Sequence, residues 1–261
     1  MNPSSLNLPS LQNRWALILG ASSGFGTAIA RALSKAGMNI FGVHLDTRST
    51  LDRAKAVIAD IESTGSRAIF FNTNAADERR RHRVLSRIIE TLQTTEDAGT
   101  PAATSATTFA DIHLMVHTLA FGSLRPYISE DPAEAVTEAQ LDMTLRVMAH
   151  SLVYWTQDLV QNKLLGQGSR IYALTSIGSQ RATANYGPVS AAKAALESHV
   201  RQLALELAPL GIAVNCVMPG VTDTPALHAI PGYETIIEEV LAHHPAGRLT
   251  TPQDVAQALV C

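Results

Sequence analysis

Apolar residues along the chain alternate between short continuous runs and stripes at helical spacing. Trp15-Ala-Leu-Ile-Leu19 is an unbroken apolar run closed by Gly20, the pattern of a strand buried on both faces. Ile29, Leu33 and Ala36 then recur at helical intervals until Gly37, a residue suited to ending a helix. The rhythm predicts further strands at residues 39–45, 68–71, 112–118, 170–174 and 213–217, with helices at 51–64, 77–92 and roughly 138–162. From Pro188, whose missing N–H costs nothing in a first helical turn, Val189, Ala192, Leu196, Val200, Leu203 and Leu207 mark one long helix with an apolar face. Strand and helix in alternation imply a single α/β domain: a parallel sheet covered by helices on both sides.

Some stretches stand outside this rhythm. Residues 1–12 read as a polar tail, and residues 94–108, rich in Thr, Ala and Ser, read as a surface insertion within a domain spanning 13–261. Arg79, Arg80, Arg81, Arg83 and Arg87 read as a solvated helix face rather than a phosphate site. Thr251-Pro252-Gln-Asp254 has the capped start of a helix.

Composition narrows the function classes. A net charge of -3 gives no basic field for nucleic acid, and no stretch approaches the length of a membrane span. Cys216 and Cys261 cannot build a disulfide framework, which with the lack of a signal-like start points to a cytoplasmic protein. His113, His243 and His244 have no ligand partners at metal spacing, so no metal is expected. His117 reads as a satisfied strand-end residue or a cofactor contact, and Cys216 as a small core residue. Phe121, Leu124 and Ile230 are either packing residues or the lining of an acyl pocket.

Two motifs carry chemistry. Gly20-Ala-Ser22-Ser23-Gly24-Phe25-Gly26 joins the first strand to the first helix, where residues without a Cβ let a pyrophosphate approach the backbone and the helix N-terminus offers N–H groups. Ser176, Tyr186 and Lys193 place a hydroxyl, a phenol and an ammonium along a turn and a helix start. Seven residues from Tyr186 to Lys193 are about two helical turns, so both can face one side.

With both motifs in place the chain resembles the short-chain dehydrogenase/reductase family over nearly its whole length. The resemblance also rests on Asn74 and on Pro219-Gly-Val-Thr-Asp-Thr224. It implies a Rossmann fold, a doubly wound parallel sheet of about six strands in the order 3-2-1-4-5-6. It further implies a cofactor, NAD(P)H, held by Gly20, Ser22, Ser23, Gly24, Phe25, Gly26, His44, Asp46, Arg48, Asn74, Ala75, Leu119, Ala120, Lys193, Pro219, Gly220, Val221 and Thr224. Asp46 near the end of the second strand suits a ribose 2′-OH, whereas His44 at the family's usual acidic position and Arg48 nearby suit a 2′-phosphate, so neither NAD nor NADP is favoured. Relatives continue past a segment like residues 251–261 into a seventh strand, expected to be missing here.

The departures are informative. The family's tyrosine usually precedes its lysine by four residues; here that position holds Val189, while Ser176 keeps the usual seventeen-residue offset. A tyrosine seven residues ahead of the lysine is the spacing of enoyl-[acyl-carrier-protein] reductases, and Leu174-Thr-Ser-Ile-Gly-Ser-Gln-Arg181, Asn185-Tyr186, Val116-His-Thr-Leu-Ala-Phe-Gly122 and His244-Pro-Ala-Gly-Arg248 are similar to their type III branch. The assisting asparagine of ketone-reducing members is replaced by Met148.

The resemblance implies reduction of the 2,3 double bond of an enoyl thioester, with Ser176, Tyr186 and Lys193 as catalytic residues and Lys193's charge lowering the phenol's pKa. The partners implied are a small-molecule or carrier-bound acyl substrate and a second copy of the chain, with no nucleic acid and no membrane. A 3-oxoacyl, ketone or alcohol oxidoreductase and a weakly catalytic dinucleotide-binding protein are the alternatives.

Overall fold

The computed structural model describes residues 11–96 and 112–260. Six strands, β1 (Trp15–Leu19), β2 (Asn39–His44), β3 (Ala68–Asn72), β4 (Ile112–His117), β5 (Arg170–Leu174) and β6 (Ala213–Val217), form one parallel sheet in the order β3-β2-β1-β4-β5-β6. β1, β2 and β4 are buried along their whole length, which explains why they read as continuous apolar runs rather than alternating ones.

Alternate residues of β1 serve opposite layers. Leu17 and Leu19 pack with Val84 and Ile88 of α3 (Glu78–Glu96), Trp155 and Leu159 of α5 (Ser151–Gln161), and Leu196, Val200 and Leu203 of α6 (Gly187–Leu207). Ala16 and Ile18 pack with Ile29 and Leu33 of α1 (Gly24–Lys35), Val57 and Ile61 of α2 (Leu51–Glu62), and Val255 and Leu259 of α9 (Pro252–Val260). Trp155 is fully buried and its Nε1 donates to the Ala75 carbonyl at 2.9 Å, so its removal would cost about 3–5 kcal/mol. The helix start at 251–254 forms as the sequence predicts, with Thr251 Oγ1 and the Asp254 carboxylate each accepting from the other's backbone N–H.

Several boundaries differ from expectation. β2 ends at His44, and α2 stops at Glu62. α3 runs on to Glu96, so the first residues of the expected insertion are helical; the rest of that insertion lies outside the described residues, as do most of the expected N-terminal tail and Cys261. The long helix expected over 138–162 is not uniform. α4 (Glu138–Leu145) opens with a capping box between Thr137 and Gln140, then widens into a π turn at Arg146–His150 before α5 continues the rod. Among the arginines expected on a solvated face, Arg81 is the exception: it is buried, paired with Asp158 and stacked over Tyr154.

Two short helices, α7 (Pro225–His228) and α8 (Tyr233–His243), lie between β6 and α9. Among the described residues no helix is long and apolar enough to cross a membrane.

Candidate active site

β1, β2 and β3 step outward on one side of the sheet while β4, β5 and β6 step outward on the other, so the strand order reverses between β1 and β4. A crevice opens at such a switch point, beyond the carboxyl ends of the strands. The glycine turn lies there. Gly26 packs so closely that an added Cβ would collide with the Gly20 carbonyl oxygen, and a Cβ on Gly20 would meet Thr118 Oγ1 at 2.5 Å. Thr118 in turn donates to the Leu19 carbonyl at 2.8 Å, pinning the turn to the end of β4. Gly24 has φ +52, a left-handed conformation that glycine adopts without strain.

At the mouth of the turn, Ser23 stands before α1 with no side-chain cap, and the first turn of that helix carries no carboxylate. The N–H groups and positive dipole end of α1 are thus open to an anion. A Cβ on Gly24 would come to 3.8 Å from Thr224, so the turn and the 219–224 segment face one another across the crevice. Thr224 is buried and accepts from Leu227 N at the start of α7.

Beside the turn, Asp46 sits just past β2. Burial opposes its charge, but hydrogen bonds from Thr50, Ser22 and His44 outweigh it and hold the carboxyl below the usual carboxylate range. The His44 Nδ1 contact is 2.7 Å, while Arg48 is exposed. Asn74 folds its Oδ1 back to the Ala76 N–H at 2.9 Å beyond β3. Leu119 is half-buried and Ala120 exposed after β4. The glycine turn thus faces Thr224 and the end of β4, and its glycine backbone, uncapped helix end and half-buried Asp46 fit a dinucleotide.

On the other flank, Ser176 follows β5 and caps a single 3-10 turn, Ile177–Ser179, by accepting from Gly178 N at 3.1 Å. Tyr186 stands one residue before α6, after Asn185 at φ +60. Its hydroxyl points to Ser176 Oγ at 3.5 Å, and its ring lies against Gly178, where a Cβ would collide with ring carbon Cε1. Lys193 is buried, and its Nζ donates to the Leu174 carbonyl at 2.7 Å. Burial pushes this ammonium down from 10.5 to about 8, against the favourable pull of Cys216 and Glu197.

The expectation that Lys193 would lower the phenol's pKa is not met. Burial pushes Tyr186 up, and only the Ser176 contact draws it back in part; the ammonium is engaged on the Leu174 carbonyl. A neutral phenol at physiological pH is a hydrogen-bond donor, not a base.

Val189, at the family's usual tyrosine position, is buried with Val147, Met148, Ala76 and Ala192. A Cβ on Gly122 would meet Thr144 at 2.7 Å, Met148 at 2.8 Å and Val189 at 3.1 Å, so this patch is closely packed and apolar. Phe121 is exposed rather than a core residue, whereas Leu124 and Ile230 are half-buried.

His117 is fully buried and only half satisfied. Its ring bonds Ser151 Oγ at 2.8 Å through Nε2 while Nδ1 finds no partner among the described residues, and burial, followed by the nearby Lys193 charge, pushes it down to about 3. Cys216 is half-buried, packed against the core on one side and lining a cleft of about 410 Å³ beside α6 on the other, and burial, then Glu197, push its thiol up to about 11. Sequence reasoning missed Thr118 and Glu197, since a threonine after a strand and a glutamate on a helix look ordinary. Among the described residues no cluster of three or more His, Cys, Asp or Glu could hold a metal.

Residues 92–261 match a family model described as enoyl-(acyl carrier protein) reductase. The chain is 28% identical to the 1-cyclohexenylcarbonyl-CoA reductase of Streptomyces collinus, over 93% of this chain and 78% of that protein. It is 29% identical to the 3-oxoacyl-[acyl-carrier-protein] reductase of Aggregatibacter actinomycetemcomitans, over 93% of this chain and 88% of that one. Among solved structures, a short-chain dehydrogenase from Burkholderia cenocepacia in complex with NADP superposes with a TM-score of 0.74 at 27% identity, covering 96% of this chain and 90% of that one. With the strand order, the glycine turn and the family match in agreement, the chain belongs to the short-chain dehydrogenase/reductase family of NAD(P)-dependent oxidoreductases.

Proposed function

We propose that the protein reduces the 2,3 double bond of an enoyl thioester, with Tyr186 stabilising the enolate oxygen. The observation that carries this reading is the position of the phenol. It stands ahead of α6 at the Ser176 turn, while the family's usual position, Val189, is sealed in an apolar patch. In a ketone the oxygen sits on the carbon that takes hydride; in an enoyl thioester the hydride goes to C3 and the charged oxygen develops on C1. A phenol displaced by three residues, roughly 4.5 Å at helical rise, suits the second geometry.

A bound reduced nicotinamide would supply the hydride. Tyr186, kept protonated by burial, donates a hydrogen bond to the C1 oxygen as negative charge grows there, Ser176 orients the phenol, and the enolate then takes a solvent proton at C2 to complete the reduction. Lys193 has two N–H groups left beyond its bond to Leu174 and serves the ribose hydroxyls. Gly20, Gly24 and Gly26 with the N-terminus of α1 would hold the pyrophosphate, Pro219, Gly220, Val221 and Thr224 the nicotinamide end, and Asn74 and Ala75 the adenine end. The similarity to a 1-cyclohexenylcarbonyl-CoA reductase, whose name gives an unsaturated thioester as its substrate, supports the substrate class.

Tyr186→Phe tests the assignment. It should lower kcat for a short 2-enoyl thioester by about 100- to 1000-fold and leave cofactor affinity within about twofold. Val189→Tyr should not rescue it, because the new ring would have to enter the packed patch at Gly122. Turnover of 3-oxoacyl thioesters with none of 2-enoyl thioesters would move the protein to the ketone-reducing class of its Aggregatibacter relative.

A further inference from the structure

We infer that Glu197 is a positioning residue for the active site, holding the turn that carries Ser176 and supports Tyr186. The inference rests on the reading that Ser176 and Tyr186 form the site, but not on which carbonyl compound they reduce.

Glu197 lies four residues after Lys193 on α6, and consecutive turns of that helix grip consecutive residues of the chain leaving β5. Lys193 Nζ holds the Leu174 carbonyl at 2.7 Å. One turn on, Glu197 Oε1 accepts from Thr175 Oγ1 at 2.6 Å and from Ser179 Oγ, also at 2.6 Å. Both lengths are those of hydroxyl bonds to an ionised carboxylate. The carboxylate thereby clamps the residues on both sides of Ser176, Ile177 and Gly178.

The clamped segment has little structure of its own. It is a single 3-10 turn closed by Ser179 N to the Ser176 carbonyl at 2.9 Å and by Gly178 N to Ser176 Oγ. Two groups of the site depend on it: Ser176 Oγ, which meets the phenol, and the face of Gly178 against which the Tyr186 ring lies.

A glutamate on a helix is ordinarily a solvated charge that favours a cation. Among the described residues Glu197 forms no ion pair, and its bonds go to two hydroxyls, one of them on a buried threonine. Its charge also favours the buried Lys193 ammonium, so one carboxylate serves both the turn and the helix side of the site.

The test compares Glu197→Gln, which keeps an acceptor oxygen, Glu197→Ala, and the double variant Thr175→Val/Ser179→Ala, which removes the donors. Turnover is measured with whichever 2-enoyl or 3-oxoacyl thioester the wild type reduces, cofactor affinity by fluorescence titration, and amide hydrogen exchange across residues 176–186 without substrate. Glu197→Ala should lower kcat about 10- to 100-fold, with cofactor Kd within about twofold, and speed exchange at Gly178 and Ser179 at least about tenfold. Glu197→Gln should stay within about fivefold of wild type in both, and Glu197→Ala should add nothing to the double variant. Unchanged exchange at the turn in Glu197→Ala overturns the inference, as does a kcat loss fully additive with the double variant or matched by a loss of cofactor affinity. A wild type active only on 3-oxoacyl thioesters would sink the enoyl reading alone, since the exchange and kcat comparisons are scored on either substrate.

Discussion

Gly178→Ala asks how closely the Tyr186 ring is set. The glycine has no left-handed backbone angle, so alanine fits its conformation and only the added methyl matters. That carbon would collide with ring atom Cε1 and lie 2.9 Å from Cδ1, against about 3.5–4.0 Å for ordinary carbon contact. The ring edge must recede by about 1 Å. Its hydroxyl reaches Ser176 across 3.5 Å, already the far limit of a hydrogen bond, so the phenol loses its guide. A misplacement of that size costs about 100-fold in rate, about 2.7 kcal/mol of transition-state stabilisation, whereas the crowding itself should cost about 1–3 kcal/mol of stability. The assay is steady-state reduction of a 2-enoyl thioester at saturating cofactor, beside a melting curve and a cofactor titration. A folded variant whose kcat stays within about threefold of wild type would refute the claim that Gly178 sets the phenol.

Asp46→Ala should shift the ratio of NADH to NADPH affinity toward NADPH by about tenfold or more, since it removes a buried charge held at the ribose end of the crevice by His44, Ser22 and Thr50; an unchanged ratio in paired titrations removes Asp46 as selector. For Lys193 the pH dependence has a definite sign. Its folded pKa is about 8 against 10.5 unfolded, so between those values the unfolded chain binds more protons and stability rises with pH. The Tm difference between wild type and Lys193→Met should therefore move in the wild type's favour as pH climbs from 8 to 10; a difference that is flat across that range would mean that Lys193 is not a buried charge.

The sheet was legible because its central strands β1, β2 and β4 are sealed on both faces and so read as apolar runs, most plainly Trp15-Ala-Leu-Ile-Leu19. The six strands and their order stand as the family resemblance implies, with β6 at one edge among the described residues. The glycine turn was legible for a related reason: close approach leaves only one residue type, as at Gly26. What the sequence hid were relations with no spacing signature. Glu197 and Ser179 meet across eighteen residues, His117 and Ser151 across thirty-four, and Arg81 and Asp158 across seventy-seven. The phenol's pKa also ran opposite to expectation, because burial raises it and spacing along the chain does not reveal how deeply a ring is buried.

The π turn at Arg146–His150 sets one extra residue into the rod. Within it, Val147 and Met148 pack against the Val189 patch; after it, Ser151 faces His117 and Trp155 enters the core under β1. A π turn is an α-helix with one residue to spare, so deleting one residue from 146 to 150 would close it into α-helix and leave the phase of the rod beyond it nearly unchanged. Ser151 would still face His117 and Trp155 would still enter the core, and the cost would fall on the packing of Val147 and Met148 instead. The rod can therefore lose a residue here with less harm to what lies beyond than anywhere in α5, where a deletion would turn the following residues by about 100°.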